Sequence, residues 1–204
     1  MMKFLCIAAF LLLVNLSHGQ QYAFNKLVHN ILFSKYTPTS DHTVFYNSED
    51  FSYTMIAYQE NDSLKSDIHD FKKNQIHYFR LNKADSLVYL KTESFKDRTN
   101  RYRYMFSDIK LRNKKKTLKL TLIDDHNKKV ATYQLIVEDS DVNNFPYFQN
   151  SSIMEQYHNL KIETPFNFTV LVAKKYIPAE LSISYLLKSM ENINLKMKVP
   201  SLDK

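Results

Sequence analysis

The chain has 204 residues and a formal net charge of +7, and 44% of its residues are hydrophobic, which suits a globular domain with its own core. It contains one glycine, Gly19, and one cysteine, Cys6. Phosphate-cradling loops, dinucleotide fingerprints and the G-x-S-x-G nucleophile elbow need glycine, while thiol catalysis and cysteine-ligated metals need cysteine. The segment after Gly19 therefore carries none of these, and we expect no cofactor.

Residues 1–19 are typical of a secretory signal peptide. A positive charge precedes an apolar run, and the small residues Ser17 and Gly19 precede a cut before Gln20. The apolar run is shorter than the roughly 20 residues that a membrane-spanning helix needs. We therefore expect removal of this leader, a single mainly-β domain over residues 20–204 without a transmembrane segment, and a periplasmic or extracellular location.

The next segment, residues 21–36, is predicted to form an amphipathic helix. Its apolar residues recur at i, i+3, i+4, i+7 and i+8, which makes one stripe along a helix. Those residues are Phe24, Leu27, Val28, Ile31 and Leu32. Pro38 follows at a point where the helix has ended. The predicted fold class is therefore α+β, mainly β, with this N-terminal helix packed on one face of a sheet.

Asparagines recur between the predicted strands in the rest of the chain, and asparagine tolerates the positive φ that tight turns need. The runs between them favour a twisted antiparallel meander, with a half-barrel as one way of closing it. The stretch 181–188 is open between strand and helix, and a short helix is predicted at 152–161. The predicted strands are 42–46, 51–59, 64–71, 75–81, 86–92, 101–111, 116–124, 129–138, 167–174, 181–188 and 193–199.

The first predicted hairpin brings two histidines and an aspartate together. A turn at residues 73–74 sets Asp70 opposite His77, so these two share one face of the sheet while His69 points to the other. A metal site of this type needs two imidazoles and a carboxylate on one face. We therefore interpret Asp70 and His77 as a cross-strand surface pair and expect no metal.

A loop at residues 125–128 closes a second predicted hairpin, in a register that sets Leu120 opposite Tyr133. Its tip carries three ionisable residues, Asp124, Asp125 and His126. Acid–base catalysis needs groups held rigidly in a cleft, which a solvated tip does not offer. These carboxylates are expected to satisfy the turn backbone instead, and no catalytic residue is assigned.

Ser107 and Lys110 form an S-x-x-K string, whose spacing suits a helix and not a strand, so it receives no role. Basic and aromatic residues alternate around it, which is typical of a sheet with one wet face and a solvated loop. The functional alternative is contact with an anionic surface such as lipid head groups. An exported protein seldom meets nucleic acid, and none is expected. The candidate residues for contact with an anionic surface are Arg101, Arg103, Lys110, Arg112, Lys114, Lys115 and Lys116.

Three functions remain open. The first is a non-enzymatic binding or interaction protein, whose 14 Phe and 14 Tyr residues fill the core or line an apolar cleft for a lipid-like ligand between sheet and helix. The others are a structural or assembly component of the cell envelope, with an envelope protein as partner, and a hydrolase of unrecognised type built on His, Asp and Tyr. In layout only, the leader, helix and meander resemble exported half-barrels that carry lipids or lipoproteins.

Overall fold

The computed structural model describes residues 19–34, 39–60, 63–81, 87–96, 102–112, 115–151, 153–154, 160–176 and 183–200. The predicted leader, apart from Gly19, lies outside these residues. So does most of the predicted helix 152–161.

Antiparallel strands make up most of the described chain, which confirms the mainly-β expectation. The stretch from residue 183 onwards, which the sequence left open, is strand. The strands are β1 (Gln20–Ser34), β2 (Ser40–Asn47), β3 (Asp50–Glu60), β4 (Ser63–Asp70), β5 (Gln75–Leu81), β6 (Leu87–Ser94), β7 (Arg103–Phe106), β8 (Lys110–Arg112), β9 (Lys115–Ile123), β10 (Lys129–Asp139), β11 (Phe168–Tyr176) and β12 (Ile183–Val199). The described residues also include one short helix, α1 (Phe145–Gln149).

The strands form one sheet whose order is β6-β5-β4-β3-β2-β1-β12-β11-β10-β9-β7, with β8 also paired to β9. Two meanders therefore run outwards from the central pair β1 and β12. The strands β6 and β7 are consecutive in the chain, yet they lie at opposite ends of this order. The nine steps from Ser94 to Arg103 reach at most about 30 Å. A flat sheet of eleven strands in a row is roughly 48 Å wide, so the sheet must curve.

The predicted N-terminal helix at residues 21–36 is wrong over all of its described part, because Gln20–Ser34 is strand β1. This strand pairs with β12 on one side and with β2 on the other. Being central, it has apolar neighbours on both faces, and partly buried side chains on its two faces imitate the spacing of a helical stripe. Backbone pairing with two neighbouring strands decides the conformation.

The main core lies on one face of strands β7, β9, β10, β11, β12 and β1, which we call the inner face. It is the face of Leu118, Leu120 and Leu122, all of which are at most 2% exposed. The described part of the connection between β10 and β11, residues 140–151, 153–154 and 160–167, lies against it. This connection contains α1, and it contributes buried apolar side chains to the core: Phe145, Phe148, Ile153 and Met154. The packing role that the sequence assigned to an N-terminal helix therefore belongs to this connection.

A second core lies where β1 extends beyond β2. Pairing between these strands covers only Lys26–Leu32, whereas β1 and β12 stay paired as far as Gln20 and Val199. The projecting two-stranded segment, Gln20–Phe24 with Leu195–Val199, is named the ribbon here. Its buried residues pack against β3, β4 and β5 in one apolar cluster: Tyr22, Phe24, Val199, Tyr53, Met55, Ile68 and Phe79.

Two asparagines make the hairpin turns that the sequence predicted. Asn74 has φ 54° and Asn127 has φ 64°, the only positive values at non-glycine positions among the described residues. The second hairpin has the predicted register over most of its length, including Leu120 opposite Tyr133. The first hairpin is offset by two residues, because its turn is four residues long, and Asp70 pairs with Gln75.

Candidate functional site

A buried chain of hydrogen bonds joins the ribbon to β4, β5 and β6. The Tyr22 hydroxyl donates to Asp70 Oδ2 at 2.8 Å and lies 2.7 Å from His77 Nε2. The other ring nitrogen, Nδ1, lies 2.6 Å from Thr92 Oγ1. Asp70 is 4% exposed and His77 is 2% exposed. The two-residue offset keeps both on one face, but the expectation of a surface pair is wrong.

Proton counting fixes the direction of this chain. Tyr22 has one proton, which goes to Asp70, so His77 Nε2–H must donate to the Tyr22 hydroxyl. In the neutral imidazole, His77 Nδ1 accepts from Thr92, which leaves the Thr92 oxygen to accept from the Tyr89 hydroxyl at 2.8 Å. Every link is satisfied when the imidazole is neutral. Of the two neutral tautomers of His77, the network therefore selects the one with the proton on Nε2.

The pKa values follow the same logic. Burial lowers the pKa of His77 below its ordinary 6.5, the negative Asp70 opposes this, and the positive Lys73 adds to it. Burial also raises the pKa of Tyr22, and its hydrogen bond to Asp70 raises it further, so the phenol stays protonated. Both directions favour a neutral imidazole and a protonated phenol, which is the arrangement described above.

We expect acid to destabilise the fold through His77. Because its folded pKa is lowered, the unfolded chain takes up protons more readily as the pH falls through 6.5. The stabilisation is thus complete above about pH 6.5 and is lost as the pH falls below it. Urea unfolding at pH 7.5 and pH 5 should show a larger loss for the native protein than for His77→Gln.

Burial also lowers the pKa of His42, which gives a pH dependence of the same sign. The comparison is therefore repeated in a His42→Gln background, where the His77-dependent difference should persist. An equal loss with and without His77 would contradict the assignment.

The network ties strands together and leaves little room for chemistry on a substrate. A general base must reach the proton that it abstracts, whereas the His77 nitrogens are both engaged within a buried cluster. His69 faces the other side of β4, as predicted. Among the described residues, no group of three or more His, Cys, Asp or Glu side chains is placed to hold a metal ion.

A different polar residue stands out on the inner face. The side chain of Asn30 is 2% exposed, and neither its nitrogen nor its oxygen has a hydrogen-bond partner among the described residues. Its cross-strand neighbour on β12 is Leu187, which packs against two apolar clusters. One of these contains Phe148 and the other Tyr147, both from α1. The orphaned amide therefore lies where the two clusters meet.

The acidic hairpin tip has the structural role that the sequence indicated. Asp124 Oδ1 accepts the backbone N–H groups of His126 at 3.0 Å and Lys128 at 2.8 Å. The side chain of His126 is 87% exposed and that of Asp125 is 64% exposed. Asp124 therefore satisfies the turn backbone, whereas Asp125 and His126 are solvated.

The structure places Ser107 and Lys110 of the S-x-x-K string in different elements, and it places the basic candidate residues on two faces of the sheet. Ser107 lies in a break between β7 and β8, where its hydroxyl accepts the N–H of Lys119 at 2.9 Å, while Lys110 begins β8.

Lys116 lies on the inner face and binds Asp139 at 2.6 Å. Arg103, Lys110 and Lys115 lie on the opposite, outer face. Arg101, Lys114 and the side chain of Arg112 lie outside the described residues.

No protein-family model matches the chain, and no curated protein matches it either. Among solved structures, a LolA superfamily protein from Nitrosomonas europaea aligns with a TM-score of 0.35 and 6% identity, over 89% of this chain and 87% of that one. A DUF1329 family protein from Desulfovibrio piger aligns with a TM-score of 0.34 and 9% identity, over 91% and 90%. Similarity at this level carries no functional argument. Within the described residues, no helix has the length and apolarity to cross a membrane.

Proposed function

We propose that the protein is exported and acts as a non-enzymatic binding protein, which holds an apolar or lipid-like ligand on the inner face beneath the connection that carries α1. The observation that supports this is Asn30. A buried amide without a partner costs about 1–3 kcal/mol, and native proteins retain few such groups. A ligand with a polar end and an apolar body would satisfy the amide and keep its surroundings apolar.

The surroundings of Asn30 suit the apolar body of such a ligand. Its neighbours along β1 on the same face are Val28 and Leu32, and Leu32 stands opposite Tyr185. From Leu32 one inner-face row continues across the sheet through Tyr185, Ala173, Leu135 and Leu118. A ligand directed along this row would contact apolar side chains only, and a mostly apolar site with few polar groups is the usual composition of a ligand pocket.

Side chains of the sheet donate hydrogen bonds to two backbone carbonyls of the connection above this row. The Tyr46 hydroxyl donates to the Tyr147 carbonyl at 2.9 Å. The Tyr133 hydroxyl and Lys175 Nζ both donate to the Ile153 carbonyl at 3.2 Å. The two tyrosine bonds contribute about 1 kcal/mol net each, and the bond from the charged Lys175 contributes about 1.5–3 kcal/mol. A ligand that replaces the apolar contacts of the connection could therefore displace it at modest cost.

Asn30→Leu tests the proposal because it separates stability from binding. Removing the unpaired amide should raise the free energy of unfolding by about 1–3 kcal/mol, since leucine has a similar volume and no polar atom. The same change should weaken ligand binding about tenfold, because the polar end of the ligand loses its partner. Urea unfolding gives the first quantity. Titration of delipidated protein with a fluorescent long-chain fatty acid and with a neutral long-chain alcohol gives the second.

Ser66→Ala is the matched control. The hydroxyl of Ser66 is also buried and has no partner among the described residues, but it lies on β4 opposite Phe79, in the second core and away from α1. Its replacement should stabilise the fold and leave the affinity unchanged. The proposal fails if the native protein binds neither probe, or if Asn30→Leu stabilises the fold without weakening binding.

A further inference from the structure

The outer face of strands β7–β11 concentrates positive charge. Its exposed cations are Arg103, Lys110, Lys115, Lys119 and Lys174. Among the described residues of these strands, one carboxylate shares that face, and it is Glu138 near the end of β10. Lys116 does not belong to this set, because it faces inwards and is neutralised by Asp139. The exposed cations on this outer face therefore outnumber its carboxylates.

Exposed apolar side chains lie among these cations. Met105 is 60% exposed and Tyr176 is 45% exposed. They stand at the two ends of one cross-strand row, joined through Thr121 and Thr132. Two exposed apolar groups on a solvated face have no role in the cores described above.

The adjacent row contains two of the lysines. Lys119 stands opposite Gln134, which stands opposite Lys174. Two strand spacings separate the lysines, roughly 10 Å. Each lysine is two residues along its own strand from the row that ends in Met105 and Tyr176. Cations and apolar groups therefore alternate over a small area of the sheet.

We propose that this outer face docks on an anionic lipid surface. The cations match the negative potential of the lipid head groups, and a tyrosine and a methionine among them suit the boundary between head groups and acyl chains. A nucleic acid would use the cations but would leave Met105 without a contact. The inference goes beyond the proposed ligand site, which lies on the opposite face of the sheet.

Sedimentation with lipid vesicles tests the docking surface. The protein should bind vesicles of phosphatidylcholine with 30% phosphatidylglycerol, and bind pure phosphatidylcholine weakly. Raising the salt concentration should release it, because screening shortens the reach of the attraction. Charge reversal at Lys119→Glu and Lys174→Glu should lower the partition coefficient by about thirtyfold or more, and Lys119→Gln with Lys174→Gln should lower it less.

The control reverses the charge of two exposed lysines of the ribbon, with Lys196→Glu and Lys198→Glu. This changes the net charge by the same amount as the test variant. This variant should retain most of the vesicle binding. Three results would overturn the proposal: equal loss in both charge-reversal variants, equal binding to neutral and anionic vesicles, or binding to a soluble polyanion such as heparin without binding to vesicles. Fatty-acid titration of the same variants keeps the two proposals separate, because the inner-face site should be unaffected.

Discussion

Replacing Phe148 by alanine should lower the free energy of unfolding by about 3–5 kcal/mol, the usual cost of removing a buried aromatic ring. Phe148 is 1% exposed. Its ring makes edge contacts with Tyr185, Phe145 and Tyr133, with centroids 5.2, 5.8 and 5.9 Å apart. Tyr185 lies on β12 and Tyr133 on β10, so this ring joins α1 to two strands of the sheet. Urea unfolding followed by far-ultraviolet circular dichroism measures the loss.

The same variant should bind an apolar ligand more readily. Removal of the ring leaves space between α1 and the inner face, where the proposed ligand lies. A long-chain fatty acid should restore part of the lost stability, because binding to the folded state alone raises the unfolding free energy. If the fatty acid stabilises Phe148→Ala less than it stabilises the native protein, the result counts against a ligand site beneath α1.

Phe79→Ala provides the comparison. Phe79 is 2% exposed and contacts the Tyr89 ring at 5.8 Å, but it belongs to the second core beneath the ribbon. Its loss of stability should be similar, and the fatty acid should restore none of it. Equal restoration in both variants would show that the ligand fills any new cavity, wherever the cavity lies.

Alternation of apolar and polar residues predicted the strands well, because in most of them one face is buried and the other is wet. The leucines of β9 fixed the register of their hairpin, since a shift of one residue would have exposed all three. The strand predicted at 101–111 is instead divided into β7 and β8 by a break at residues 107–109. Ser107 makes two side-chain hydrogen bonds in this break.

The N-terminal segment misled the sequence reasoning for a physical reason. A surface helix and a central strand with both faces partly covered can show the same apolar spacing. Asn30 was overlooked as a consequence, because the helical stripe left it on the polar side. In a strand, Asn30 alternates with Val28 and Leu32 and points inwards. Testing that segment for period two would have revealed a polar residue at a core position.

The buried network could be predicted only in part. Asp70 and His77 were identified because they are neighbours in a hairpin, where local register is sufficient. Tyr22 lies 48 residues from Asp70 and 55 from His77 in the chain. No local pattern links a tyrosine to groups so distant. Only the folding of the ribbon over β3–β5 brings them together.

Asp70→Ala should therefore have the second large effect and lower the free energy of unfolding by about 3–5 kcal/mol. Asp70 accepts three hydrogen bonds at 2.8 Å, from the Tyr22 hydroxyl, the Gln20 side-chain amide and the Lys73 backbone N–H. Hydrogen bonds to a charged group contribute about 1.5–3 kcal/mol each, and part of their sum is offset because alanine also removes the cost of burying a carboxylate. Urea unfolding measures the total.

A double-mutant cycle with Tyr22→Phe distinguishes the network from general damage. Because the two groups bond directly, their effects should be non-additive by about 1–3 kcal/mol. Asp67→Ala is the control on the same strand, since Asp67 accepts a bond from Tyr58 but faces the other side and is only partly buried. It should cost less than about 1.5 kcal/mol. Additive effects of Asp70 and Tyr22 would mean that their contact does not hold the ribbon.

The loss of stability in Asp70→Ala should also be confined to one part of the sheet. If Asp70 fastens the ribbon, Asp70→Ala should speed amide hydrogen exchange first in Gln20–Phe24 and Leu195–Val199, while β9 and β10 remain protected. The ribbon has no pairing to β2, so its attachment depends on the second core and on this network. Uniform acceleration across the sheet would instead show that the network supports the whole fold.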